Sequence, residues 1–279
     1  MKKLLQVLCA ASLLILALIP QSSAQQMYAT NEFGKELYLV NYATAAVTTI
    51  STTTEKPDDI VITPSGNLIY TQNPGNGIEM YNPKTGITTQ VATILGGSRD
   101  LVVEPGGASI LIANYGGGKV YRMNLTTFAV TQLGAKIGPV NGLAYDASGR
   151  LFTVANFNTV VELDPVTGKI LKTLVLEPSY KSNGGDGMTY DPYTGHLWIS
   201  HIGTQGNGLI EVATDLSGFQ LFQTGKILSP DGIVSDGKGN LYIGASYKYV
   251  YEYNITSNTF TKKVNVSGVD SIVLIPGTF

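Results

Sequence analysis

NGLAYDASGRLFTVAN, from Asn141 to Asn156, and DGMTYDPYTGHLWISH, from Asp186 to His201, are two copies of one phrase set 45 residues apart. Each opens on Asn or Asp and continues as a short apolar run. A polar turn with a glycine follows, then a second apolar run that ends on a polar side chain. The phrase also starts at Asp59 (DIVITPSGNLIYTQN), Asp100 (DLVVEPGGASILIAN) and Asp231 (DGIVSDGKGNLYIGAS), so successive starts are 41, 41, 45 and 45 residues apart. Gly66, Gly107, Gly149, Gly195 and Gly239 sit in the turns, where a tight hairpin needs positive φ.

Outward from the hairpin, each copy adds an alternating strand such as VVELDPVTG from Val160 or VYEYNITSN from Val250, with Asn or Asp opening the next turn. A fourth, more polar segment completes the repeat, as suits an outer edge strand. A period in the forties built from four short strands predicts a β-propeller with one sheet per repeat. The chain ends on VDSIVLI from Val269, a lone first strand. It opens after residue 24 with Met27–Asn31, a second strand, and with the run from Leu37, strands three and four. Sharing one sheet between the termini predicts an all-β, six-bladed propeller closed by a clasp.

Residues 1–24 read differently. Lys2 and Lys3 precede the apolar run Leu4–Ile19, then Pro20 and the small residues Ser22-Ser23-Ala24. This predicts a cleaved signal peptide and one domain over residues 25–279, in the periplasm or secreted. The single cysteine, Cys9, lies in that leader, so the domain is expected to stand without disulfides. Removing the leader takes the formal charge from −2 to −4, because it holds two lysines and no acid. With no basic run, nucleic acid and, after cleavage, membrane are excluded as expected partners; a monomer with a small-molecule ligand is expected.

A hairpin returns its chain to one rim, so the phrase places two polar sets around one mouth of the channel. Strand starts give Asp59, Asp100, Asn141, Asp186, Asp231 and Asp270; strand ends give Asn31, Asn73, Asn114, Asn156, His201 and Ser246. Such oxygens suit Ca²⁺, or another hard divalent cation, with Zn²⁺ a second candidate. They equally suit capping turns or bonding a neighbouring blade's backbone. Tyr115, Phe157, Tyr180 and Tyr247 fall near the same mouth. No G-x-S-x-G elbow or H-E-x-x-H motif is present.

The two quoted segments resemble consecutive blades of the SMP-30/gluconolactonase-like propellers. The resemblance implies Asn141 and Asp186 as metal ligands, Asp186 as a general base, and a lactone as substrate. It extends more loosely to Asp100 as a ligand and Arg99 as a substrate contact. Asp270 takes the blade of the family's metal-binding Glu, whose EGP motif this chain lacks. His201 stands beside Asp186 as a second candidate for activating water, and Asn114 and Asn156 are expected substrate contacts. The expectation is a metal-dependent hydrolase of a lactone or small ester. NHL and YVTN-type propellers share the phrase, which leaves open a non-catalytic ligand- or protein-binding propeller. A carbon–oxygen lyase of the streptogramin-lyase type is a third reading.

Overall fold

The computed structural model describes residues 25–176, 184–203, 206–245 and 248–279. The expected leader, Tyr180, Ser246 and Tyr247 lie outside them. Twenty-four strands form six antiparallel four-stranded sheets, with no helix among the described residues. The innermost strands are β4 (Pro57–Ile62), β8 (Ser98–Val103), β12 (Val140–Tyr145), β16 (Gly184–Asp191), β20 (Pro230–Ser235) and β24 (Val269–Leu274). Each neighbours the next, and β24 returns to β4, so the ring is closed. The fold is the six-bladed propeller expected from the repeat.

The five turn glycines have φ between 71° and 95°, the region that their hairpins require. A Cβ at Gly107 would lie 2.5 Å from Cγ of Pro64 in the neighbouring blade. Apolar positions interleave between blades rather than filling one central core. One cluster joins Phe152, Val154 and Val160 to Met188, Leu197 and Ile199 of the next blade. Trp198 is fully buried within another, as its place in an inner strand suggests.

The clasp sheet runs in the order β24, β1 (Gln26–Asn31), β2 (Glu36–Asn41), β3 (Ala46–Thr52). Strand β24 pairs antiparallel with β1 from Met27↔Leu274 to Asn31↔Val269. Thr30 Oγ1 accepts from Ser271 N at 2.9 Å and donates to Asp58 O at 2.6 Å, joining both termini to the following blade. The last seam is apolar: Met27, Val40 and Tyr42 pack on Tyr242, Val250 and Val264.

All six innermost strands carry an extra residue at their start. Pairing with the second strand slips between Pro57 and Ile60, Ser98 and Asp100, Asn141 and Leu143, Gly185 and Met188, and Pro230 and Ile233. The sixth slip lies opposite Ala29 and Asn31. Such bulges re-aim side chains at sheet ends. A chain ending at Gly268 lacks β24 and is expected to lose cooperative thermal unfolding; a melt as sharp as that of the full domain would contradict the clasp's role.

Candidate ligand site at the mouth of the channel

The bulges rearrange the sequence-level alignment of the blades. Counting from the paired residues places Asp58, Arg99, Asn141, Asp186, Asp231 and Asp270 in one ring. The next layer holds Asp59, Asp100, Gly142, Gly187, Gly232 and Ser271. Sequence reading set Asp59 and Asp100 level with Asp186; the structure sets them one layer deeper and lifts Asp58 and Arg99 into the upper ring. The strand ends shift likewise. The residues level with Asn31, Asn114 and His201 are Gln72, Ala155 and Ala245, rather than Asn73, Asn156 and Ser246.

The deeper layer ties blade to blade. Asp59 Oδ2 accepts from Leu101 N at 2.6 Å, and its Oδ1 accepts from the Ser271 hydroxyl. Asp100 Oδ1 accepts from Leu143 N at 3.1 Å. In the other blades glycine allows direct approach: a Cβ on Gly142 would lie 2.7 Å from Asp186 O, and one on Gly187 would lie 2.8 Å from Asp231 O. Below this layer runs a central cavity of about 240 Å³, lined by Asp59, Asp100, Gly187, Gly232 and Ser271 at its upper end.

The upper ring is a chain of contacts. Arg99 Nη1 donates to Asp58 Oδ2 at 2.9 Å, an ion pair whose carboxylate is buried while the arginine side chain is 35% exposed. Asn141 Nδ2 donates to Asp186 Oδ1. Asp186 bonds Asp231, and Asp231 bonds Asp270. Two carboxyl groups within hydrogen-bond reach need a proton between them. Burial accordingly pushes Asp58 up to about 8 despite Arg99, and Asp59 up to about 6 despite its hydrogen bonds. Burial and neighbouring acids hold Asp100, Asp231 and Asp270 well above the usual carboxylate range; burial also raises Asp186, against the pull of Arg99.

Around the ring stand groups from the hairpin tips. The Arg99 guanidinium lies over the Tyr115 ring at 5.4 Å, and Tyr115 meets Phe157 edge-on at 5.9 Å. Glu32 adds repulsion at Asp58, Asp186, Asp231 and Asp270, which places its charge over the same mouth. Sequence reading missed Glu32 and Asp58. Their signal was register: Glu32 is level with Tyr115, and Asp58 with Arg99.

The strand-end residues hold backbone. Asn114 is buried and donates to Leu95 O at 3.1 Å; Asn156 donates to Ile137 O at 3.2 Å. A Cβ on Gly96 or Gly138, in the loops leading into their blades, would lie 3.0 or 2.0 Å from the respective Oδ1. Their amide nitrogens are spent on those loops. His201 is fully buried, and a Cβ on Gly203 would lie 2.3 Å from its Nε2. His196, at the far end, pairs with Glu211 at 2.8 Å.

Oxygen donors of this kind suit a hard cation chemically. Among the described residues, however, no three acidic or histidine side chains gather as a ligand shell. Asp100, Asn141, Asp186 and Asp270 contact neighbouring blades instead.

No family model matches the chain, and no curated protein matches it in sequence. Solved structures do. A chain of the nidogen/laminin complex is 12% identical with a TM-score of 0.72, covering 90% of this chain and 97% of that one. Virginiamycin B lyase from Staphylococcus aureus is 16% identical with a TM-score of 0.64, covering 88% and 86%. TolB from Acinetobacter baumannii is 12% identical with a TM-score of 0.69, covering 91% and 67%. At these identities the likeness shows the propeller fold and nothing of its chemistry.

The raised carboxyls set a pH dependence. A group whose folded pKa lies above its unfolded value stabilises fully below the unfolded value, and that stability is lost as pH rises through the folded one. For Asp59 and Asp58 the loss runs through about 6 and about 8. The melting temperature, taken with a chelator present, is expected to fall from about pH 5 to about pH 9. Asp231→Asn, which supplies a permanent donor, is expected to flatten the fall. A rise over this range would contradict the protonated ring.

Proposed function

We propose that this protein is a non-catalytic propeller that binds a small molecule at the mouth of its channel. The observation that supports this most is the division of labour at the mouth. The ring oxygens meet one another or the neighbouring blade, whereas Arg99, between Asp58 and Tyr115, keeps one-third of its side chain exposed beside the half-buried Tyr115 and Phe157 rings. A buried, hydrogen-bonded carboxyl is poorly placed to activate water; a partly exposed guanidinium braced on an aromatic ring is well placed to hold a ligand. Native mass spectrometry against a small-molecule library tests the reading. Hits are expected to lose at least about tenfold in affinity in Arg99→Lys, which keeps the charge beside Asp58 but removes the planar fork. Val166→Ser, at the far end of a blade, should leave them unchanged. Hits indifferent to Arg99→Lys would contradict the reading.

One observation favours the second reading, a hydrolase of lactones or small esters dependent on Ca²⁺ or Zn²⁺. Four carboxyls of the upper ring crowd a single guanidinium, and a divalent cation at Asp186, Asn141, Asp270 and Asp100 would take the place of the protons that such crowding otherwise requires. Under this reading metal analysis finds bound cation, calcium raises the melting temperature after chelation, and Asp186→Ala abolishes turnover of an aldonolactone. Absence of all three leaves the binding propeller.

A further inference from the structure

Asn156 and Phe157 are consecutive residues with left-handed backbone, φ 51° and 71°. They occupy the tip between β13 (Leu151–Ala155) and β14 (Thr159–Leu163). Ala155 pairs with Thr159, so the tip is three residues long, and positive φ at two of them in succession is a conformation that favours Asn and Gly. The equivalent tip of the preceding blade, Tyr115-Gly116-Gly117-Gly118, is glycine-rich. A phenylalanine is therefore held where its own backbone preference opposes it. Its ring is half-buried, edge-on to Tyr115, and Tyr115 lies beneath the Arg99 guanidinium. Phe157, Tyr115, Arg99 and Asp58 thus form one continuous wall across three blades.

That wall also selects by charge. Arg99 and Asp58 satisfy each other, and Asp58 is buried. An anionic ligand that engaged Arg99 closely would draw it from Asp58, leaving that buried acid without its donor, and would itself meet the acids Glu32 and Asp186 that crowd the same mouth. A cationic ligand that took Asp58 would set a second positive charge beside the guanidinium and remove its hydrogen-bonded partner. Leaving either partner unpaired is costly. A neutral ligand can lie on the ring and meet the guanidinium's remaining donors without breaking the pair.

Resting on the mouth as a small-molecule site, we infer that its ligand is an uncharged ring compound with a neutral hydrogen-bond acceptor, seated on Phe157 beside Arg99. The test uses benzamide, benzoate and benzylamine, which share a ring and differ in charge, with binding followed by NMR line broadening of the ligand. Benzamide is expected to bind at least about tenfold more tightly than either ion. Phe157→Gly suits the backbone at φ 71°, so this variant is expected to melt no lower than the parent yet bind benzamide about tenfold more weakly; Phe157→Trp is expected to restore binding. Benzoate or benzylamine binding as tightly as benzamide overturns the inference, as does unchanged affinity in Phe157→Gly. So does failure of all three probes to bind. The broader mouth-site reading falls separately, when library hits ignore Arg99→Lys.

Discussion

Every blade of this propeller presents the unpaired edge of its innermost strand to the axis, and the contacts across those edges hold the ring together. A buried backbone donor without a partner costs about 1–3 kcal/mol. Asp59 and Asp100 meet that requirement at Leu101 and Leu143. Further round, the glycines at 142, 187 and 232 bring one strand's backbone against the next. The Asp-Gly phrase that recurs in the sequence has this meaning: the acid reaches sideways, and the glycine leaves room for the neighbour. Without this layer the blades would meet only through apolar faces, which set distance but not register.

The same constraint shapes the mouth. The upper ring is crowded with carboxyls because the bulge that frees a strand start also turns an acid towards the next blade. Protons shared along Asp186, Asp231 and Asp270, and the Arg99–Asp58 pair, keep that crowding tolerable. What the ring does not consume is the exposed part of Arg99, the aromatic pair beside it and Glu32, and the proposed ligand site draws on these groups alone.

Much of this was legible in the sequence. The turn glycines gave hairpins, the period gave blades, and Met27–Asn31 with Val269–Ile275 gave the clasp, because each depends on local backbone chemistry or on simple alternation. The layering was not legible. Asp59 and Asp100 look like Asp186 in a string of letters, yet a bulge adds one residue without a fixed signature, and in these two blades no glycine follows the acid to mark it. Arg99 therefore read as a neighbour of the ring rather than a member. Asn114 and Asn156 read as rim ligands because residue type was visible and the loops they tie, around Leu95 and Ile137, were not.

The central claim is that the Asp59 and Asp100 carboxyl groups close the innermost blade edges where no glycine brings the next strand in. Amide hydrogen exchange at Leu101 in the wild type and in Asp59→Ala measures it most directly, with Leu143 as the internal reference. The account predicts that Leu101 is strongly protected in the wild type and loses protection selectively in the variant, while Leu143, which Asp100 still serves, keeps its own. Equal protection of Leu101 with and without the Asp59 carboxylate would contradict it.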